Sequence, residues 1–329
     1  MYKKKLLYIS ICFCFMASLI IYPSVASDGV KYGLSLCATV IIPSLFPFTV
    51  LALIVFKLNV PFLNKSTAIM LLSHLGGFPV GAKLVDAAYK ENEIDKKTGE
   101  LMLGYCVNSG PAFILIVIGS GIWNSKMIGM ILFASSLLSS LSIMLMNIKS
   151  LGKTKKHQRE ESKHQLFSEI FIESTYDATE SMLKICASVV LFSTLIYLIT
   201  PLLQNIIYSD YMLSLLEISN GVILAQKNIY LTAFLIGFGG LSVHFQVMSI
   251  CQNLKPNYVR FLFFRFLHGT LCAVIASFLL KVFKISSSVL STQGDFRFEL
   301  TKYSIVFSVM LMICCILFII SVKKPNNLW

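Results

Sequence analysis

Charge is scarce in this 329-residue chain: Asp, Glu, Lys and Arg make up 13% of it, against 56% hydrophobic residues. A soluble domain of this size needs far more polar surface, so a water-facing globular fold is excluded. The mean hydropathy of +0.76 points to a polytopic membrane protein. The motifs of soluble catalysis are missing as well. There is no Walker loop, nucleophile elbow, Rossmann glycine signature or HExxH pair. The reading is therefore of a chain that is no enzyme and carries no cofactor and no metal. His244 and His268 have no third ligand at zinc spacing and read as satisfied polar contacts. No CxxC spacing occurs among the nine cysteines, which include the Cys12/Cys14 and Cys314/Cys315 pairs. They read as small apolar residues and not as disulfides or redox centres.

What is present is a succession of apolar runs near the length of about 20 residues that crosses a bilayer. Clear spans read at 6 to 22, 30 to 57, 126 to 148, 183 to 207, 258 to 281 and 300 to 322. Interrupted spans read at 67 to 89, 100 to 121 and 229 to 252, with a short apolar piece at 212 to 226. The fold class is all-α, with about 8 to 10 transmembrane or re-entrant helices. Residues 1–29 read as a signal-anchor span: Lys3 to Lys5 precede an apolar stretch, and Ser24, Val25 and Ala26 offer a small-x-small order at which cleavage is the minor alternative.

Basic residues crowd three places: Lys3 to Lys5, the loop holding Lys149, Lys153, Lys155, Lys156, Arg159 and Lys163, and Lys323 with Lys324. The positive-inside rule makes all three cytoplasmic, so the protein is expected in the cell membrane, multi-pass, with both termini in the cytoplasm. The net charge of +12 is then mostly topological and implies no nucleic-acid partner. Five apolar segments lie between the amino terminus and the 149–165 linker, which makes parity informative. An even number of crossings is required, so one segment enters and leaves on the same side. The suspects are the two broken by Gly and Pro, since irregular backbone at membrane depth survives only where protein or a water-filled cavity satisfies it.

Pro79 forbids an unbroken helix through "GGFPVGAKLVDAAY", at a cost of about 3 kcal/mol, and favours a half-helix starting there with the amides of Val80, Gly81 and Ala82 aimed into the gap. Pro111 does the same in "CVNSGPAF", where Asn108 supplies two donors and an acceptor. In the second half Ser242, His244 and Gln246 follow Gly239 and Gly240, a pair that aligns with Gly76 and Gly77 at an offset of 163. The expected binding set is Gly77, Pro79, Gly81, Asn108, Ser109, Gly110, Ser242, His244 and Gln246. The plainer reading of Gly76, Gly77, Gly81, Gly239 and Gly240 is close helix packing. Arg265 with His268, inside an apolar run, needs a partner, and Glu217 is the candidate for an intramembrane ion pair. Lys83 and Asp86 share a helix face and read as an ion pair at the water boundary. Glu169, Glu173, Asp177 and Glu180 read as the solvated face of an amphipathic helix at 164 to 182.

The stretches "SLFPFTVL", "GGFPVGAKLVDAAYKENEIDKKTGELMLGYCVNSGPAFILIVIG", "MLKICASVVLF", "EISNGV" and "GFGGLSVHFQVMSI" resemble the YlbJ-type sporulation integral membrane proteins, which carry the nucleoside-recognition (Gate) domain. The resemblance spans roughly residues 30 to 282. It implies a first Gate-type repeat at 30–148, the 149–165 basic cytoplasmic linker, a second Gate-like repeat at 166–282 and a C-terminal span and tail at 283–329. It also implies a part in endospore formation and the movement of a small solute, nucleoside-like or other, between broken helices. The alternative is a structural or assembly protein of the sporulation membranes. Partners implied are membrane lipids, a small-molecule or ion solute, and further copies or sporulation membrane proteins.

Overall fold

The computed structural model describes residues 2–58, 65–148, 166–203, 206–225 and 228–285, and the expected span at 300 to 322 lies outside them. The described residues form helices joined by turns, with no strand. Among the described residues, five helical stretches are long and apolar enough to cross a membrane: Pro23–Lys57, Lys126–Asn147, Phe167–Leu203, Ile229–Ile250 and Tyr258–Val282. The fold is that of an all-helical polytopic membrane protein.

In chain order the elements are α1 (Tyr2–Ile21), α2 (Pro23–Leu36) and α3 (Ile42–Lys57), then α4 (Lys65–Gly76), α5 (Phe78–Lys90) and α6 (Lys96–Cys106). These are followed by α7 (Lys126–Asn147), α8 (Phe167–Leu203), α9 (Ser209–Ser214), α10 (Ile218–Leu224), α11 (Ile229–Phe238), α12 (Gly240–Ile250) and α13 (Tyr258–Val282). Two segments, Cys37–Ile41 between α2 and α3 and Phe113–Ile122 before α7, are wound as wider π-helix. The first has a plain cause. Pro43 has no amide hydrogen, so the Thr39 carbonyl four residues back loses its α-helical donor and the winding relaxes.

The long α2–α3 rod packs antiparallel to α8. Gly29 and Gly33, four apart, press against the backbone of Thr194 and Val190, where an added Cβ would sit 2.8 and 2.7 Å from the respective Cα atoms. Small residues at this spacing let two helices approach closely, which is how membrane helices gain packing energy without a hydrophobic driving force. Further along, Cys37 Sγ lies 3.7 Å from the Cys186 carbonyl, and Lys57 closes the pairing on Glu173 at 3.1 Å.

Apart from an exposed Lys31–Asp28 pair on α2, the ion pairs among the described residues gather at one end of the bundle. Lys57 bridges Glu173 and Asp177, each at 3.1 Å, while Lys83 reaches Asp177 at 2.9 Å and Glu180 at 4.0 Å. Glu100 takes Arg260 at 3.0 Å. Two expectations change here. The acidic face of α8 is tied to α3 and α5 by these lysines and is continuous with the span above it. Lys83 and Asp86 do not pair: Asp86 accepts instead from the amides of Asn253 and Leu254 and from the Asn253 side chain, so its carboxylate caps a turn while Lys83 serves α8.

Candidate functional site

Three chain breaks meet near the centre of the bundle. The first is a single residue, Gly77 (φ +82°), between α4 and α5; the two helices pack on each other as a hairpin that returns to the charged end. That positive φ suits glycine and would strain any other residue. The second comprises residues 107–110, which leave the helix after α6 before it resumes at Pro111. The third is the Gly239–Gly240 junction, with φ +90° and +76°, between α11 and α12. They are in contact: a Cβ on Gly77 would lie 3.6 Å from the Gly110 amide, and one on Gly239 would lie 3.4 Å from the Phe78 ring. Ser109 Oγ approaches the Ile236 carbonyl at 3.4 Å. The turn between α9 and α10 joins them, its Leu215 and Leu216 carbonyls accepting the Leu241 and Ser242 amides at 2.9 Å each. The amides at the start of α12 are thus taken up by backbone, and on α5 the Val80 amide is closed on Gly77 O at 3.2 Å. The expectation that free amides of the half-helices face the gap is corrected at these positions.

Arg265 fills the junction from α13 and is wholly buried. Its Nε donates to Phe238 O at 3.1 Å, Nη2 donates to Gly237 O, and Nη1 donates to Val107 O and, at 3.2 Å, to His268 Nδ1. Its guanidinium carbon stands 6.0 Å from the centre of the Phe78 ring. The three carbonyls belong to the ends of α6 and α11, where the last turns of a helix leave acceptors unpaired and the macrodipole is negative. Two broken helix ends therefore do the work expected of a carboxylate. The proposed ion pair with Glu217 is not formed. Glu217 accepts instead from the Asn220 amide and side-chain Nδ2, both at 2.8 Å, as the cap of α10.

A buried chain of hydrogen bonds runs outward from Arg265, and its direction is fixed because arginine cannot accept. Arg265 donates to His268 Nδ1, which leaves the proton on Nε2 for Ser140 Oγ at 3.1 Å. Ser140 donates to Asn108 Oδ1 at 2.8 Å. Asn108 Nδ2 donates to Ser73 Oγ and to Tyr105 O, both at 2.8 Å, and Ser73 donates to Met70 O at 2.6 Å. Since both Asn108 hydrogens are spent, His74 Nδ1, 2.9 Å from Met70 O, donates there and leaves its Nε2 without a hydrogen-bond partner among the described residues. The chain links α13, α7, the 107–110 break and α4.

On the other side of the junction lies a cavity of about 30 Å³, enough for one or two waters. Its wall includes Pro79, Gly110, Glu217, Ser219 and Gln246 among apolar side chains.

Of the expected binding set, Pro79, Gly110 and Gln246 line this cavity, Gly77 and Ser109 stand at the breaks, and Asn108 sits in the polar chain. Gly81 is a packing residue: a Cβ there would fall 1.5 Å from the Cys106 carbonyl oxygen. His244 donates through Nε2 to Phe238 O at 3.0 Å, the carbonyl that Arg265 Nε also uses, and packs against the rings of Phe238 and Phe261; Ser242 Oγ and His244 Nδ1 have no hydrogen-bond partner among the described residues. Sequence reading missed Ser73, His74 and Ser140, and also Ser136, whose carbonyl lies 3.4 Å from His268 Nε2. The run "ASSLLSSLS" carried a signal, since Ser135, Ser136, Ser139 and Ser140 recur on one face of α7.

Compared with known proteins, the chain is 24% identical over 346 residues, covering 85% of this chain and 84% of the other, to the sporulation integral membrane protein YlbJ of Bacillus subtilis (strain 168). No family model matches the chain, and no solved structure matches it. An all-helical membrane bundle whose breaks meet on a buried arginine is, by sequence, a distant relative of a sporulation integral membrane protein.

Proposed function

We propose that the protein is an integral membrane protein of endospore formation that moves a small solute, nucleoside-like or other, past the junction of its broken helices. The observation that carries the reading is the meeting of three interrupted helices at one buried cation beside a cavity with a carboxylate and an amide in its wall. Corresponding interrupted segments in two halves are the mark of repeat-built transporters, whose sites lie between them. The order of elements supports two halves of opposite direction. In the first, α2–α3 runs toward the charged end, a hairpin enters from that end, a broken helix leaves it and α7 returns. In the second, α8 leaves the charged end, a short turn enters from the other side, a broken helix comes back and α13 leaves again. This order pairs Gly239 with residues 107–110, and the Gly77 turn with Leu215 to Glu217, a register different from the one the paired glycines suggest.

A cavity of about 30 Å³ is far below the roughly 300 to 1,000 Å³ of sites that enclose small molecules, so the proposed conformation is the closed one of a moving pair of halves. The structural or assembly role is the second reading, favoured by how much of the polar junction is satisfied internally. Both readings put the amino terminus, residues 149–165 and the charged end in the cytoplasm, as the distribution of lysine and arginine indicates. Small-molecule profiles of developing spores with and without the protein separate the two. The transport reading expects at least one solute to fall severalfold inside the spore; unchanged profiles alongside defective membranes would favour the assembly role.

A further inference from the structure

At the charged end, the first turns of α6 and α13 flank an open groove of about 760 Å³. Three cations face it, Lys96, Lys255 and Arg260, against one carboxylate, Glu100. Glu100 is already occupied, taking Arg260 Nη1 at 3.0 Å and the Asn257 amide at 3.1 Å. Asp95, next to Lys96, is spent on capping α6: its Oδ1 accepts the Thr98 amide at 2.8 Å, and these hydrogen bonds hold its carboxyl below the usual range. Lys96 and Lys255 have no ion pair among the described residues, so neither ammonium is held by a carboxylate and both are free to meet an anion. The groove also has an apolar wall. Val259 and Phe263, four apart on α13, are 73% and 63% exposed, and Phe266 continues the strip at 59%.

An anion alone would use the cations but not the strip. We propose that the groove binds the headgroup of an anionic phospholipid, its phosphate between Lys96, Lys255 and Arg260, with an acyl chain along Val259, Phe263 and Phe266. Basic pockets between membrane helices recognise acidic headgroups in this way, each cation adding to the attraction of the lipid surface, and the helix amino termini at Lys96 and Tyr258 add to it. The site lies outside the helix junction and stands whether or not the protein transports anything.

The test is native mass spectrometry of the full chain in detergent, titrated with phosphatidylglycerol and, separately, phosphatidylcholine of the same acyl chains. Phosphatidylglycerol should bind at about tenfold lower concentration, and the double variant K96Q/K255Q should lose that preference. The variant K126Q/K281Q, changed at exposed lysines of other helix ends, should keep it, and all three proteins should melt alike. Equal binding of the two lipids, an unaltered preference in K96Q/K255Q, or displacement of phosphatidylglycerol by millimolar inorganic phosphate would overturn the proposal.

Discussion

Arg265 and His268, one turn apart on α13, stand 3.2 Å from Nη1 to Nδ1, and that contact orients every hydrogen bond beyond it. Because the guanidinium can only donate, His268 must accept on Nδ1 and donate on Nε2, Ser140 must donate onward, and Asn108 must receive on its carbonyl. One cation thus fixes both the ends of two broken helices and the tautomer of a histidine.

Replacing Arg265 exposes this dependence. In R265M the carbonyls of Val107, Gly237 and Phe238 lose their donor together, each at about 1 to 3 kcal/mol. R265K keeps the charge at the helix ends but not the planar fork that reaches three acceptors at once. Melting in detergent and abundance in the membrane should fall in the order wild type, R265K, R265M. A methionine variant as stable as wild type would show that the broken ends are held by something else.

Asn108 is the second point of strain if altered. N108L fills the volume but strands Ser140, Ser73 and the Tyr105 carbonyl, so the cost should be roughly 1 to 3 kcal/mol for each group left without an alternative. S140A removes one link and should cost less, about 1 kcal/mol. Because the two share a hydrogen bond, the double variant N108L/S140A should lose clearly less than the sum of the single losses in a melting experiment. Strict additivity would mean that the chain is not coupled as described.

The glycines divide into two kinds. G81A drives a methyl group into the Cys106 carbonyl, a rigid backbone group, and should prevent the α4–α5 hairpin from seating against α6. G110A presses only on the Leu45 Cδ2 methyl at 3.1 Å, which can shift, stands at an ordinary 3.6 Å from the Gly77 backbone, and has a φ outside the left-handed region. Expression and thermal stability should therefore collapse for G81A and change little for G110A. Similar behaviour of the two would contradict the packing around Gly81.

Much of the helix layout was legible because it rests on local chemistry. Pro79, Pro111 and the paired glycines cannot continue a helix, and the turn around Gly77 and the gap at 107–110 fall where they stand. Arg265 was legible as a residue in need of a partner, but the partner was sought among carboxylates. Unpaired carbonyls at a helix end carry no letter in the sequence, and they are what the arginine found. The polar chain was hidden for a related reason: Ser73, Asn108, Ser140 and His268 lie on four separate segments, and only the tertiary packing of α4, α7 and α13 brings them into line. Glu217 and Asn220 were the reverse case, a capping pair three residues apart that local spacing could have revealed before any long-range ion pair was considered.

The central claim is that the junction opens in turn to each side of the membrane, and it can be tested without knowing the solute. Gln246 lines the cavity and is 7% exposed, so a thiol placed there by Q246C, in a chain whose native cysteines are replaced, reports access to the site. Protein reconstituted in vesicles of known orientation is treated with a membrane-impermeant thiol reagent on one face or the other, with K97C at the charged end and K126C at the opposite end each as the freely reactive control for its own face. The account predicts that Q246C reacts from both faces within minutes, more slowly than the control for that face. A thiol at 246 that stays unmodified from either face for hours, where the control for that face reacts at once, would contradict it.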